Sequence, residues 1–137
     1  MQKERAANRI FVGLPAVEAE ALADGAQLLD FNRRTILQEP GETIEYIYFP
    51  LSGVFSLITE MRDGATVEAA TVGREGMTGL PVFLGSHAAT RRTQASIAGR
   101  ALRVDANRFR RLIDSSSRLC GLLGRYTELL FIESAQL

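Results

Sequence analysis

The feature that most constrains the fold is a series of short β-type runs, each followed by a turn signal, between residues 26 and 104. Val, Ile, Thr, Tyr and Phe recur in these runs, and such residues favour strands. The turns carry Pro and Gly, as in Pro40-Gly41, and Asp63-Gly64 is typical of a tight hairpin. The predicted strands are 28–31, 35–38, 44–49, 54–59, 66–72, 92–98 and 100–104. Short, evenly spaced strands predict an antiparallel sandwich or jelly roll rather than a parallel α/β sheet.

Helical segments are predicted on both sides of this β region. Residues 1–25 form the first segment, in which Pro15 suits the first turn of a helix. Residues 105–137 form the second segment, with Asp105 as an N-cap and Ser115-Ser116-Ser117 as a break before a long helix. That helix reaches the end of the sequence without a stop signal, which favours a truncation inside a longer helix. The fold class is therefore mainly β, an antiparallel jelly roll with flanking helices and a long C-terminal helix.

Composition argues against several classes of function. Basic and acidic residues number 16 each, so the formal net charge is zero, whereas a segment that neutralises DNA phosphates is usually basic. His87 and Cys120 are the single histidine and the single cysteine, too few for a zinc site, an iron–sulfur cluster or a disulfide. We therefore predict no metal and no enzyme activity, and a cupin-like enzyme is disfavoured. No signal peptide and no membrane-spanning run are seen, so the expected location is cytoplasmic.

Several turns occur in an order that resembles a known family. These are Glu39-Pro40-Gly41-Glu42, Tyr46-Ile47-Tyr48-Phe49-Pro50, Ser52-Gly53, Asp63-Gly64 and the run from Val72 to Pro81. Together they resemble the cyclic-nucleotide-binding-like domains of bacterial Crp/Fnr transcription regulators, over nearly the whole chain. The resemblance implies a jelly roll followed by a helix that forms a homodimer interface. It also implies a winged helix-turn-helix that binds DNA, which this segment lacks, and a small effector such as cyclic AMP or cyclic GMP.

The resemblance also implies a ligand site. In nucleotide-binding relatives a Gly-Glu pair opens a short helix, the Glu binds the ribose hydroxyl, and an Arg followed by Ser or Thr binds the phosphate. Gly79 matches the glycine and Arg92-Thr93 match the second element, but Leu80 stands at the position of the acid. Leu cannot accept a hydrogen bond, and a buried unpaired hydroxyl costs on the order of 1–3 kcal/mol. Ser134, on the last helix, is placed near the pocket by the same resemblance.

Two alternatives to this ligand site remain open. A different register would give the roles of the glycine and the acid to Gly73 and Glu75. Arg91 and Arg92 could instead be a solvated pair at the start of a strand, with no ligand at all.

The last helix carries an apolar stripe that we predict to form the dimer interface. Its predicted members are Leu119, Leu122, Leu123, Tyr126 and Leu130. The alternative is that the stripe packs only on the jelly roll. Three other functions remain open beside the regulator: a ligand-free dimerisation scaffold, the nucleotide-binding domain of a channel or kinase, and, less favoured, the cupin-like enzyme.

Overall fold

The computed structural model describes the backbone of residues 2–135 and the side chains of residues 2–132. Within these residues the chain forms seven strands and six helices. The strands are β1 (Gln27–Phe31), β2 (Ile36–Gln38), β3 (Tyr46–Pro50), β4 (Val54–Glu60), β5 (Thr66–Val72), β6 (Arg92–Ile97) and β7 (Gly99–Asp105). The helices are α1 (Gln2–Arg5), α2 (Arg9–Val12), α3 (Ala16–Ala23), α4 (Leu80–Phe83), α5 (Ala106–Ser115) and α6 (Ser117–Ala135).

The strands pair in two antiparallel sheets. One sheet has the order β1-β7-β3 and the other has the order β2-β6-β4-β5. This arrangement confirms the predicted jelly roll, with helices at both ends of the chain and a long helix last. Two strands start later than predicted: β2 begins at Ile36 and β3 at Tyr46. Before β3, the amide of Ile44 donates to the carbonyl of His87 instead of to a sheet neighbour.

Two apolar clusters hold the layers together. Between the sheets, Phe31 and Phe55 lie with ring centroids 4.3 Å apart, packed against small residues of β6 and β7. The other cluster joins the outer face of the first sheet to the helices, where Phe49 packs between Phe11 and Phe109. Since side chains alternate along a strand, β3 sends Ile47 and Phe49 to the helices, and Tyr48 packs against the cluster between the sheets.

The two C-terminal helices begin where local signals predict. The carboxylate of Asp105 accepts hydrogen bonds from the amides of Asn107 and Arg108, at 2.9 and 3.1 Å, so the predicted N-cap of α5 is confirmed. The predicted break is also present: α5 ends at Ser115, and the hydroxyl of Ser116 accepts from the amide of Leu119 in the first turn of α6.

The apolar stripe of α6 packs mainly on the chain's own core. Of the five residues predicted for a dimer interface, four are buried in the cluster beneath the helices and Leu122 is half-buried. The four buried residues are Leu119, Leu123, Tyr126 and Leu130. Their spacing brings them to one side of the helix, and that side faces the jelly roll, so the placement differs from the predicted interface. The hydroxyl of Tyr126 also donates to the carbonyl of Met77 at 3.3 Å.

Candidate functional site

A cavity of about 160 Å³ opens between the two sheets, beside α4 and the end of α6. Strands β2, β3, β4 and β6 form its walls, together with the segments that flank α4 and the loop before β6. Its lining residues are Leu37, Gln38, Ile44, Tyr46, Tyr48, Leu57, Met77, Thr78, Gly79, Leu80, Pro81, Leu84, Ala89, Thr90, Arg91, Thr93 and Leu130. Three predicted site residues, Gly79, Leu80 and Thr93, are thus brought together.

The segment that carries Gly79 and Leu80 is fixed to β3. The amide of Thr78 donates to the carbonyl of Tyr48 at 2.9 Å, and the hydroxyl of Thr78 accepts from the amide of Tyr48 at 3.1 Å. Gly79 has a φ of 79°, a left-handed conformation that favours glycine. A Cβ there would lie 2.6 Å from Cδ1 of Ile47. Only glycine therefore fits at the turn that starts α4 and places Leu80 in the cavity wall.

The opposite wall comes from the loop before β6 and the first residues of that strand. This loop is tied to the turn around Gly41, whose amide donates to the carbonyl of Ala89 at 2.9 Å. Thr93 is 6% exposed and lines the cavity, as does Arg91 two residues earlier. Arg91 is half-buried and has no hydrogen bond or ion pair with any residue that the structure describes. Arg91 is thus the one charged residue among the described residues that line the cavity.

Arg92, the predicted phosphate ligand, is not among the residues that line the cavity. Its Nε lies 2.6 Å from Oε1 of Glu39, and its terminal nitrogen lies 3.7 Å from a carboxylate oxygen of Glu60. The hydrogen bond to Glu39 raises the pKa of Arg92 above its ordinary value. The reason is strand geometry, because neighbouring residues point to opposite faces. With Thr93 facing inward, Arg92 points outward.

The cavity is mostly apolar, and its aromatic residues are two tyrosines of β3. Tyr46 and Tyr48 meet edge to face with ring centroids 6.5 Å apart, and the guanidinium of Arg103 lies 4.2 Å from the centroid of the Tyr46 ring. The two tyrosines were not predicted as site residues, and Arg91 was considered only as a member of a solvated pair with Arg92. The alternation of strand side chains could have revealed the tyrosines, which lie two residues apart in β3, but not Arg91, which lies before β6.

The other singled-out residues lie away from the cavity. His87 is in an exposed loop, and the described residues contain no group of three or more His, Cys, Asp or Glu suited to a metal. Cys120 is unbridged, and its thiol donates to the carbonyl of Ile113 at 3.1 Å. The side chain of Ser134 lies outside the described residues. None of the described helices is long and apolar enough to span a bilayer.

Comparison with solved structures finds the same fold in regulatory proteins. A cAMP-bound mutant of the regulatory subunit of a cAMP-independent protein kinase A from Trypanosoma brucei is 20% identical, with a TM-score of 0.77 over 92% of this chain and 45% of that chain. The c-di-GMP responsive global regulator CLP from Xanthomonas campestris is 17% identical, with a TM-score of 0.76 over 89% and 62%. The sensor domain of the transcriptional regulator DNR from Pseudomonas aeruginosa is 16% identical, with a TM-score of 0.74 over 99% and 92%. This chain therefore spans less than two thirds of the first two proteins, and at these identities the likeness shows the fold alone.

The family is shown by sequence. No curated protein sequence matches the chain, but residues 28–116 match the family model described as the cyclic nucleotide-binding domain. This match covers well over half of the 137 residues, including every strand except the start of β1 and all of the cavity wall apart from Leu130 of α6. The chain therefore belongs to the cyclic nucleotide-binding domain family.

Proposed function

We propose that this chain is the sensory domain of a bacterial transcription regulator of the Crp/Fnr type. It binds a small effector in the cavity and passes the signal through α6. The observation that carries the proposal is the position of Leu130, which lines the cavity and also belongs to the core that holds α6. A ligand in contact with Leu130 has different affinities for different positions of α6, and such a difference is what a molecular switch requires.

The output of the switch is proposed to be DNA binding by a different part of the protein. Two of the similar structures are transcription regulators by name. The zero net charge of this segment makes it unsuited to hold DNA phosphates itself. The role is regulatory and not enzymatic, and the expected location is the cytoplasm.

A homodimer is proposed to form through the side of α6 that borders its buried stripe. Leu122 on this side also packs against the chain's own core. Leu122, Leu129 and Ile132 share one side of the helix by their spacing, and Leu129 and Ile132 are 67% and 47% exposed. Exposed large apolar residues in a row are typical of interaction surfaces. Of the five residues predicted for the interface, only Leu122 belongs to this side of α6, because the other four are buried within the chain.

The dimer is tested by sedimentation equilibrium of the wild type and two variants. Leu129→Glu should shift the dimer to monomer, because it places a charge in the proposed interface. Phe131→Glu is the matched control, since Phe131 is 74% exposed but lies on another side of the helix. Equal dissociation of both variants, or a monomeric wild type, would overturn the proposed interface.

The sensory role is tested by titrating cyclic AMP, cyclic GMP and a panel of small metabolites by calorimetry. Each compound that binds is then examined by hydrogen exchange at residues 119–132. At least one compound should bind and change the hydrogen exchange of α6, because Leu130 lines the cavity and is part of that helix. If nothing binds, the domain acts as a ligand-free dimerisation scaffold, which Leu80 in place of the family's acid would favour. If a compound binds without any change in α6, the route of the signal is wrong.

A further inference from the structure

From the lining of the cavity we infer that its natural effector is a compact apolar monoanion, such as a small aromatic or short-chain carboxylic acid, and not a cyclic nucleotide. The inference rests on the proposed function, because it assumes that the cavity binds an effector. It follows from three observations: the size of the cavity, the chemistry of its walls and the presence of one charged residue, Arg91, among the described lining residues.

The size favours a single ring or a short chain. The cavity has a volume of about 160 Å³, and an apolar cavity of about 150 Å³ holds one benzene molecule. A nucleotide adds a sugar and a phosphate to a base that is itself larger than benzene. The cavity is partly open to solvent, so the part of the effector that it encloses has about six to eight carbon atoms, by comparison with benzene.

One wall of the cavity offers little to a sugar. Leu80, Pro81 and Leu84 line the side where the family's acid would bind the ribose. The lining residues, all within the described part of the chain, include no Asp or Glu. A ribose hydroxyl against these side chains would stay unpaired, which weakens binding about tenfold to a hundredfold per buried group. An aromatic ring or an alkyl chain has no such penalty against the same wall.

Arg91 is the only charged residue among the described residues that line the cavity. It has no partner among the described residues, in contrast to Arg92, which is paired with Glu39. A guanidinium offers a planar pair of N–H donors that fits a carboxylate in a two-bond contact. The hydroxyl of Thr93 lines the same wall, where it can donate to a carboxylate oxygen. The cavity thus combines an apolar body site with one anion site.

The test titrates benzoate and hexanoate into the intact domain by calorimetry, beside benzamide, hexanamide, cyclic AMP and cyclic GMP. At least one acid should bind, and its amide should bind at least about tenfold more weakly, because the amide lacks the charge that Arg91 pairs with. Arg91→Gln should remove the preference for the acid. Arg92→Gln is the matched control and should bind the acid like the wild type. Circular dichroism of both variants establishes that they are folded.

Three results overturn the inference, and they differ in what they leave standing. If a cyclic nucleotide binds and neither acid does, the ligand class is wrong but the sensory function stands. If the acids bind equally well to Arg91→Gln, the anion site is wrong. If neither the acids nor the nucleotides bind, the inference fails, and the metabolite panel then decides separately whether the proposed function fails with it.

Discussion

Asn8 joins the N-terminal helices to the segment that leads into the cavity, and its removal should destabilise the whole domain. The residue is fully buried. Its Nδ2 donates to the carbonyl of Pro50 at 2.8 Å and to the carbonyl of Gly76 at 2.9 Å. Its Oδ1 accepts from the amide of Ile10 at 3.0 Å and so caps α2. One side chain therefore satisfies three backbone groups from three parts of the chain.

The expected cost of Asn8→Ala follows from these three bonds. Loss of an N-cap costs about 1 kcal/mol, and each buried polar group left without a partner costs about 1–3 kcal/mol. Allowing for partial relaxation, we expect the free energy of unfolding to fall by about 3–5 kcal/mol. That is a large share of the roughly 5–15 kcal/mol typical of a domain.

The variant Asn8→Asp distinguishes the stability that the N-cap contributes from the stability that the two hydrogen bonds donated by Asn8 contribute. It keeps an acceptor for the amide of Ile10 but replaces both donors by a carboxylate that faces two carbonyl oxygens. Burial and these oxygens raise the pKa of the new carboxyl above its unfolded value of about 3.9. A raised folded-state pKa means that stability falls as pH rises from about 3.9 towards that pKa. Relative to the wild type, this variant should therefore be less destabilised at pH 4 than at pH 7.

Urea unfolding followed by circular dichroism measures these effects as shifts of the midpoint at constant slope. A fall of less than about 1 kcal/mol for Asn8→Ala would refute the reasoning, because even the cap alone should cost that much. A penalty for Asn8→Asp that does not change with pH would refute the part that concerns the two donors.

Three further predictions concern α6 and the cavity. Gly76→Ala should lower the melting temperature in a calorimetric scan, because the new Cβ would overlap the ring of Tyr126 and overpacking costs about 1–3 kcal/mol. Leu80→Glu should raise the affinity for cyclic AMP about tenfold or more in a calorimetric titration, because it supplies an acceptor for a ribose hydroxyl. An unchanged affinity would show that this wall does not face the sugar. Leu123→Ala should lower the unfolding free energy by about 2–5 kcal/mol, since Leu123 is fully buried, whereas Leu129→Ala should change it little, since Leu129 is 67% exposed.

The sequence was a good guide wherever the signal is local. The predicted strand 66–72 has the observed bounds of β5, because a hairpin turn at Asp63-Gly64 and a buried end at Val72 define it. The start of α5 at Asp105 was predictable for the same kind of reason, since an N-cap acts on amides two and three residues away. Such signals need no knowledge of the rest of the fold.

The partner of an apolar stripe was not predictable from the stripe. The spacing of Leu119, Leu123, Tyr126 and Leu130 requires only that one side of α6 be covered. Whether the jelly roll or a second subunit covers it depends on where the sheets lie, and the structure buries these residues in the chain's own core. A helix that serves both the core and a dimer needs apolar residues on two sides, and the exposed Leu129 is the evidence for the second.

The outward position of Arg92 could have been predicted from the sequence, because it depends only on the alternation of side chains along a strand. Arg92 and Thr93 are both in β6, so they cannot both face one cavity from an extended strand. Once Thr93 is placed inside, Arg92 must face outward, where Glu39 pairs with it, whereas Arg91 precedes the strand and strand alternation does not determine where its side chain lies. The adjacent pair of the family motif is therefore divided between the two faces of the strand, and which arginine contacts a ligand stays a prediction. The proposed preference for an anion rests instead on Arg91, because a half-buried arginine without a carboxylate partner among the described residues favours an anion supplied from outside.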